Sequence, residues 1–259
     1  MAIKARGRLL TFDPQRDGRV VEFSGDLATA DHVAVFVPGM ANDITNYNST
    51  KTKALSLLRE MQAVAKPGER VAVVVWLGYD TPDLTPVRVF FEAARSNKAV
   101  AGAKVLDRDL DFLRGLNPGT HITVVGHSYG SLVVGKAMRR GIEADDAVVV
   151  GSPGMGVRDR QDLGSAHTTL WAGHRAMFDP VSFAPRLGED PSAHGFHANR
   201  FRTAGSSGHS DYFNPGSVAL RNIALIATGA QPTAGNDPAP TPRPKPRTRP
   251  KRQTRTTKA

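Results

Sequence analysis

The chain has 259 residues and a formal net charge of +10, and this length is enough for one large domain with a substantial core. It contains no cysteine, which excludes disulfide bonds, thiolate metal ligands and a cysteine nucleophile. No apolar stretch reaches the length of a transmembrane segment, and the N-terminus lacks the apolar run of a signal peptide, so we expect a soluble, cytoplasmic protein.

The positive charge is concentrated at the C-terminus. From Gln231 onward there are eight Lys or Arg residues against the single Asp237, which leaves a net charge of only +3 for the preceding residues. The same segment holds seven of the 18 prolines and almost no apolar residues. We therefore predict a globular domain at residues 1–229 and a disordered tail at 230–259, which is either a solvated extension or a contact site for a polyanion such as nucleic acid, anionic lipid or an acidic polymer.

The hydrophobic pattern predicts eight strands, at residues 8–12, 19–23, 32–37, 71–77, 122–125, 147–150, 168–172 and 199–204. The first two are expected to form an antiparallel hairpin, because a turn-rich link ending in Asp17-Gly18 joins them. Helices are predicted at 48–65, 103–116, after residue 130, and at 218–228. Strands that alternate with helices indicate an α/β fold with a mostly parallel eight-stranded sheet and helices on both faces.

Residues 83–101 have an irregular pattern with a cluster of apolar residues, namely Val87, Val89, Phe90 and Phe91. Such a cluster either forms a small cap over a functional site or packs in the core. The sequence favours neither interpretation.

The segment at residues 121–140 contains the motif from which the candidate catalytic residues are predicted. A β-branched run precedes Gly126-His127-Ser128-Tyr129-Gly130, and residues of helical composition follow it. This is the G-x-S-x-G nucleophile elbow in its strand–turn–helix context, where the glycines leave room for the strand to cross the helix. An overlapping stretch at 130–137 nearly matches a phosphate-binding loop, but Ala137 stands where a hydroxyl would bind magnesium.

A serine nucleophile needs a base within hydrogen-bond range and a group that orients this base. His209 is the best candidate for the base, because it lies in a Gly/Ser-rich loop just beyond the last strand. His127 is expected to point away from the nucleophile, and His32 and His121 lie at strand entrances on the opposite edge. Residue type alone leaves four histidines open: His167, His174, His194 and His197.

Asp179 is predicted to orient the base, because Asp-Pro directly beyond the seventh strand lies at the carboxyl edge of the sheet. Its rivals are Asp80, Asp190 and Asp211, each of which is otherwise a solvated turn residue. With Ser128 after the fifth strand and His209 after the eighth, this gives the Ser, Asp, His order of an α/β-hydrolase.

The backbone N–H groups of Met40 and Tyr129 are predicted to form an oxyanion hole, one from the loop after the third strand and one next to the nucleophile. The alternative for residues 38–40 is an ordinary turn. A metal site at Asp190, His194 and His197 matches no known spacing, so neither a metal nor another cofactor is expected.

The ordered segments HVAVFVPGM, VVVWLGYD, VVGHSYGS, FDPVSF and GHSDYF together resemble a family of bacterial α/β-hydrolases of undefined function that is frequent in actinobacteria. The resemblance covers roughly residues 30–229. It implies an α/β-hydrolase fold and a triad of Ser128, Asp179 and His209, and it implies no substrate.

The residues favour a serine hydrolase that cleaves carboxylic esters, lipid-like or thioester substrates included, through an acyl-enzyme on Ser128. Amide hydrolysis and acyl transfer use the same groups, and the sequence does not separate them. The alternative is a non-catalytic binding or scaffolding protein with the hydrolase fold and a polyanion-binding tail, because a fold by itself does not fix a function.

Overall fold

The computed structural model describes residues 8–15, 18–82, 97–173, 179 and 187–233. Its strands are β1 (Arg8–Asp13), β2 (Arg19–Ser24), β3 (His32–Val37), β4 (Val71–Leu77), β5 (His121–His127), β6 (Asp146–Val150), β7 (Thr169–Gly173) and β8 (Asn199–Phe201). The α-helices within these ranges are α1 (Tyr47–Val64), α2 (Asn97–Leu116), α3 (Gly130–Met138) and α4 (Val218–Ala227). Short 3₁₀ helices occupy Arg160–Leu163, His194–Phe196 and Asp211–Phe213.

All eight strands of the described residues form one sheet in the order β1-β2-β4-β3-β5-β6-β7-β8. The β1–β2 and β2–β4 pairs are antiparallel, and every later pair is parallel. The predicted fold class, including the N-terminal antiparallel hairpin, is confirmed. Because β3 to β8 are parallel, their carboxyl ends lie at one edge of the sheet, and the loops that follow them meet there.

The sheet carries a hydrophobic core on each face, which is why its central strands read as continuous apolar runs. Successive residues of β3 point to opposite faces: Val35 belongs to one cluster and Phe36 to the other. Leu106 of α2 and Val133 of α3 pack on the first face. Residues of α1 and α4 pack on the second, so both faces are covered as predicted.

Helix α2 begins at Asn97, whereas the sequence predicted irregular structure up to residue 101 and a helix from 103. The additional turn packs into the core, because Ala99 continues the face of Ala103 and Leu106 toward the N-terminus and is buried. Residues 97–101 therefore form part of a core helix and no cap. The rest of this segment, residues 83–96 with the apolar cluster for which a cap and core packing were the two alternatives, lies outside the described residues, as do residues 234–259 of the predicted tail.

None of the helices in the described ranges is long and apolar enough to cross a membrane.

Candidate active site

Ser128 lies between the end of β5 and the start of α3, in the strained conformation that a nucleophile elbow requires. Its φ angle is 57°, which puts a residue with a Cβ in the left-handed region. Its backbone is anchored on both sides, because its N–H donates to the carbonyl of Val150 (3.0 Å) and its carbonyl accepts from the N–H of Ser131 (2.9 Å). Such strain persists only where the surrounding structure holds it.

The two glycines of the motif are required by close backbone contacts. A Cβ on Gly130 would lie 2.4 Å from the carbonyl oxygen of Val37, and a Cβ on Gly126 would lie 3.0 Å from a methyl group of Val134. A side chain at residue 130 would therefore force the backbone to shift, and one at residue 126 would be crowded. The sequence motif was interpreted as an elbow for the same reason, namely that its glycines leave room for the strand to cross the helix.

The structure brings His209 and Asp179 together, although 30 residues separate them in the chain. Nδ1 of His209 lies 2.7 Å from Oδ1 of Asp179, whose side chain is fully buried. The bare Cα of Gly151, just beyond β6, makes room for this pair, since a Cβ there would lie 3.1 Å from the His209 ring and 3.2 Å from Oδ2 of Asp179. Because a carboxylate accepts the Nδ1 proton, Nε2 of His209 is left as the basic nitrogen.

The second oxygen of Asp179 is also held. The buried hydroxyl of Tyr212 donates to Oδ2 of Asp179 over 2.8 Å. Tyr212 stands three residues after His209, in the 3₁₀ helix Asp211–Phe213, so one short segment supplies two partners of the same carboxylate. The sequence analysis missed this residue, and an aromatic hydroxyl close to a candidate base was the signal available for it.

His127, the residue before Ser128, contacts His209 directly. Its ring centroid lies 4.7 Å from that of His209, and its Nε2 lies 2.7 Å from the carbonyl oxygen of His209. A carbonyl only accepts, so Nε2 of His127 carries the proton. Burial lowers the pKa of His127 to about 3, and the electrostatic interactions with His209 and Lys53 act in the same direction. His127 is therefore a neutral donor that ties the His209 loop to the elbow, a contact that the sequence did not predict.

The loop after β3 packs directly against Ser128. A Cβ on Gly39 would lie 2.6 Å from Cβ of Ser128 and 3.0 Å from its hydroxyl oxygen. The backbone of Met40, the predicted oxyanion donor, follows at once. Tyr129, the other predicted donor, adjoins Ser128 and buries its ring against that of Tyr79 (centroids 6.4 Å apart, nearly parallel). The described residues thus gather both backbone segments beside Ser128.

The rival carboxylates have other partners. Asp80 pairs with Arg19 (3.2 Å), and Asp190 accepts from the backbone and hydroxyl of Ser192. Asp211 accepts from the backbone N–H groups of residues 207 and 208, which lowers the pKa of its carboxyl group. Asp211 therefore shapes the loop that carries His209.

The histidines left open by the sequence lie apart from the pair. His167 contacts the carbonyl of Ile142 (2.8 Å), His197 contacts Asp159 (2.7 Å), and His194 contacts Arg200 (2.7 Å). His174 lies outside the described residues. Within the residues that are described, no group of three or more His, Cys, Asp or Glu side chains is arranged to hold a metal ion.

The chain belongs to the alpha/beta hydrolase family. The family described as "Alpha/beta hydrolase" matches residues 13–189, which include β2 to β7 and the elbow.

The curated relatives are actinobacterial proteins. An uncharacterized protein of Mycobacterium tuberculosis (strain ATCC 25618 / H37Rv) is 33% identical over 263 residues, which cover 85% of this chain and 39% of that protein. An uncharacterized protein of Mycobacterium bovis is 31% identical over 170 residues, which cover 60% of this chain and 61% of that protein. The resemblance to an actinobacterial family of undefined function is thus confirmed, and the chain spans less than two thirds of the length of either relative.

Among the solved structures similar to this one, two align over most of both chains. The structure named "m3DLH" aligns with a TM-score of 0.51 at 15% identity, over 86% of this chain and 95% of that one. Dienelactone hydrolase from Anabaena variabilis aligns with a TM-score of 0.49 at 18% identity, over 88% of this chain and 97% of that one. The first similarity supports the fold described above.

Proposed function

We propose that the protein is a serine hydrolase that cleaves carboxylic esters through an acyl-enzyme on Ser128. The observation that carries the proposal is the hydrogen bond between Asp179 and Nδ1 of His209 at the sheet edge where the strained Ser128 lies. A buried carboxylate that accepts the Nδ1 proton fixes the tautomer in which Nε2 can take a proton from a nucleophile. Among the carboxylates of the described residues, Asp179 alone has this contact with His209.

In the proposed reaction, Oγ of Ser128 attacks the ester carbonyl carbon while its proton moves to Nε2 of His209. The carbonyl π electrons move onto oxygen, and the amides of Met40 and Tyr129 stabilise the resulting oxyanion. Collapse of this intermediate breaks the bond to the alcohol, which takes the proton from His209. Water then attacks the acyl-enzyme with the same base and regenerates free Ser128.

Asp179 stays ionised throughout and stabilises the imidazolium form of His209. The hydroxyl of Tyr212 satisfies the second oxygen of this buried carboxylate, which would otherwise be costly to bury. His127 holds the backbone of His209 through a donor that stays neutral across the physiological pH range. These contacts support an orientation of the base that precedes substrate binding, which is how active sites reduce the cost of reaching the transition state.

An ester is proposed as the substrate because its alcohol leaves more readily than the amine of an amide. Lipid-like acyl groups and thioesters fall within the same chemistry. Met40, which packs against the core beside the elbow, offers an apolar surface close to Ser128. The apolar cluster of Val87, Val89, Phe90 and Phe91 lies outside the described residues.

The test is reaction of the purified protein with a fluorophosphonate, followed by mass mapping of the adduct. The expected result is one adduct on Ser128, its loss in Ser128→Ala, and a fall in kcat/KM of at least ~10³-fold for that variant with short-chain and long-chain esters. Matched amides in the same assay distinguish esterase from amidase activity. A folded wild-type protein that forms no adduct would favour the alternative, a binding or scaffolding protein with this fold.

A further inference from the structure

The loop at residues 38–41, called here the oxyanion loop, has a conformation that it does not support by itself. Ala41 has a φ angle of 52°, in the left-handed region where a residue with a Cβ is disfavoured by roughly 1–2 kcal/mol. The loop is also packed tightly, because Gly39 lies against Ser128 and a Cβ on Gly130 would strike the carbonyls of Val37 and Pro38. Contacts from other residues must therefore hold it.

The side-chain amide of Asn42 supplies two of these contacts. Its Nδ2 donates to the carbonyl of Gly39 (3.1 Å) and to the carbonyl of Met40 (2.8 Å). Both partners are carbonyl oxygens, which only accept, so the nitrogen end of the amide must face them. The oxygen end is held as well, because Oδ1 accepts from the hydroxyl of Thr50 over 2.7 Å.

A hydrogen bond to the Gly39 carbonyl also decides where the Met40 amide points. The two groups belong to one peptide unit, which is planar and trans, so C=O and N–H point in opposite directions. Holding the Gly39 oxygen toward Asn42 therefore aims the Met40 N–H away from Asn42. Among the residues that the structure describes, no acceptor receives a hydrogen bond from this N–H. The amide is left available beside Ser128.

Tyr79 contacts the same loop. Its hydroxyl donates to the carbonyl of Pro38 (2.7 Å) and lies 3.3 Å from that of Gly39. Burial raises the pKa of the Tyr79 hydroxyl well above its ordinary value, so it keeps its proton and remains a donor at neutral pH. Its ring lies nearly parallel to that of Tyr129 at a centroid distance of 6.4 Å. Tyr79 thus contacts both segments that carry the proposed oxyanion donors.

We propose that Asn42 is a positioning residue that aims the Met40 amide into the oxyanion hole, with Tyr79 as its support. The inference rests on the proposed function. Asn42 touches no reacting atom, and its effect passes through the Gly39–Met40 peptide. It should therefore affect the transition state, in which the oxyanion exists, and leave substrate binding in the ground state nearly unchanged.

The test compares Asn42→Asp with Asn46→Asp in the full chain. Asn42→Asp keeps the size of the side chain and removes both donated hydrogen bonds. Asn46 donates to the carbonyl of Ala41 (2.6 Å), so its substitution perturbs the same loop without touching the Gly39 or Met40 carbonyls. The expected result for Asn42→Asp is a fall in kcat of roughly 10- to 100-fold, with KM changed by less than about threefold, since loss of a whole oxyanion donor costs ~10²–10³. Asn46→Asp should change kcat by less than about threefold.

A boronic acid that mimics the tetrahedral intermediate gives a second readout. Its Kd should rise in Asn42→Asp by the same factor by which kcat/KM falls, which a general loosening of the structure would not produce. If Asn42→Asp does not fold, Tyr79→Phe replaces it, with an expected loss in kcat of about 3- to 10-fold.

The outcomes separate the two proposals. A wild-type protein that is active, together with a folded Asn42→Asp that keeps full kcat and full affinity for the boronic acid, overturns the positioning role and leaves the proposed function standing. A fall in kcat as large in Asn46→Asp as in Asn42→Asp also overturns it. A wild-type protein that reacts with neither esters nor the fluorophosphonate overturns both.

Discussion

At the scale of single residues, the candidate site includes side chains that stay uncharged because they are buried. His127 is the clearest case, since burial next to His209 holds its pKa at about 3 while an exposed histidine titrates near 6.5. The folded protein keeps His127 neutral over a pH range in which the unfolded chain takes up a proton.

This difference predicts a pH-dependent stability. Below pH ~6.5 the unfolded state binds a proton that the native state does not, so stability is lost as the pH falls from ~6.5 toward ~3. Between pH 7 and pH 4.5, His127 should lower the free energy of unfolding by about 2–3 kcal/mol. Urea unfolding of wild type and His127→Gln at the two pH values measures it. The wild type should lose more stability on acidification than the variant, and equal losses would contradict the shifted pKa.

The residues of the candidate site differ in how visible they are in the sequence. Ser128 is marked by its neighbours, because the elbow is a local motif. The choice of Asp179 and His209 came from chain order. Asp211 stands two residues from His209, yet its carboxylate binds the loop backbone, and Asp179, 30 residues away, meets the imidazole. That selection depends on the paths of loops through space, which local sequence does not contain.

At the scale of elements, the elbow is a junction at which a strand, a helix and the oxyanion loop approach one another closely. Glycine is needed at residue 130 of this junction because a Cβ there would collide with backbone atoms. A glycine on an open helix surface has no such neighbours. A Cβ on Gly130 meets the carbonyl of Val37 at 2.4 Å, whereas a Cβ on Gly115 near the end of α2 meets nothing within 4 Å.

Two Gly→Ala substitutions should therefore have effects of opposite sign. Gly130→Ala is expected to destabilise the protein by more than about 2 kcal/mol, because the β3 end or the elbow must shift. Gly115→Ala is expected to stabilise it by up to about 1 kcal/mol, since alanine loses less backbone entropy in a helix. Chemical denaturation of both variants measures the difference. A neutral Gly130→Ala would mean that the junction is less tightly packed than described.

The start of α2 shows where periodicity fails at this scale. The sequence pattern becomes convincingly amphipathic only from residue 103, because the first turn contains small residues and an asparagine. Ala99 and Gly102 are nevertheless suited to their positions: Ala99 is buried in the core, and a Cβ on Gly102 would lie 2.9 Å from Cβ of Tyr79. Small residues at a close helix–sheet contact carry little hydrophobic signal, so the helix begins earlier than the pattern predicted.

At the scale of the whole molecule, the charge is divided unequally along the chain. All eight basic residues of the C-terminal segment lie beyond Thr233, together with Asp237, so removing residues 234–259 lowers the net charge by 7. Thr233 itself still contacts the folded part of the chain, because its N–H donates to the side-chain oxygen of Asn222 on α4 over 2.8 Å. A chain that ends at Thr233 therefore keeps this contact.

The alternative in which the tail contacts a polyanion leads to a prediction about that shorter chain. The full chain should bind double-stranded DNA or heparin at low ionic strength, with a slope of log affinity against log salt of at most about −7 for DNA, as expected for eight basic residues. The chain that ends at Thr233 should not bind, while both keep the same ester hydrolysis. Retention on heparin across a salt gradient measures it, and equal retention of the two chains would show that the tail is a solvated extension.

The sequence by itself determined the succession of strands and helices along the chain, the elbow, and the set of residues considered for the triad and the oxyanion hole. Each of these rests on local chemistry: β-branched runs favour strands, amphipathic spacing favours helices, and glycines permit one particular turn. The tertiary structure decided which of these groups meet. It brought Asp179 rather than Asp211 to His209, added Tyr212 and His127 as partners, and set Asn42 against the oxyanion loop. Hydrogen bonds form between atoms that are close in space, and only the path of the whole chain across the sheet makes those atoms neighbours.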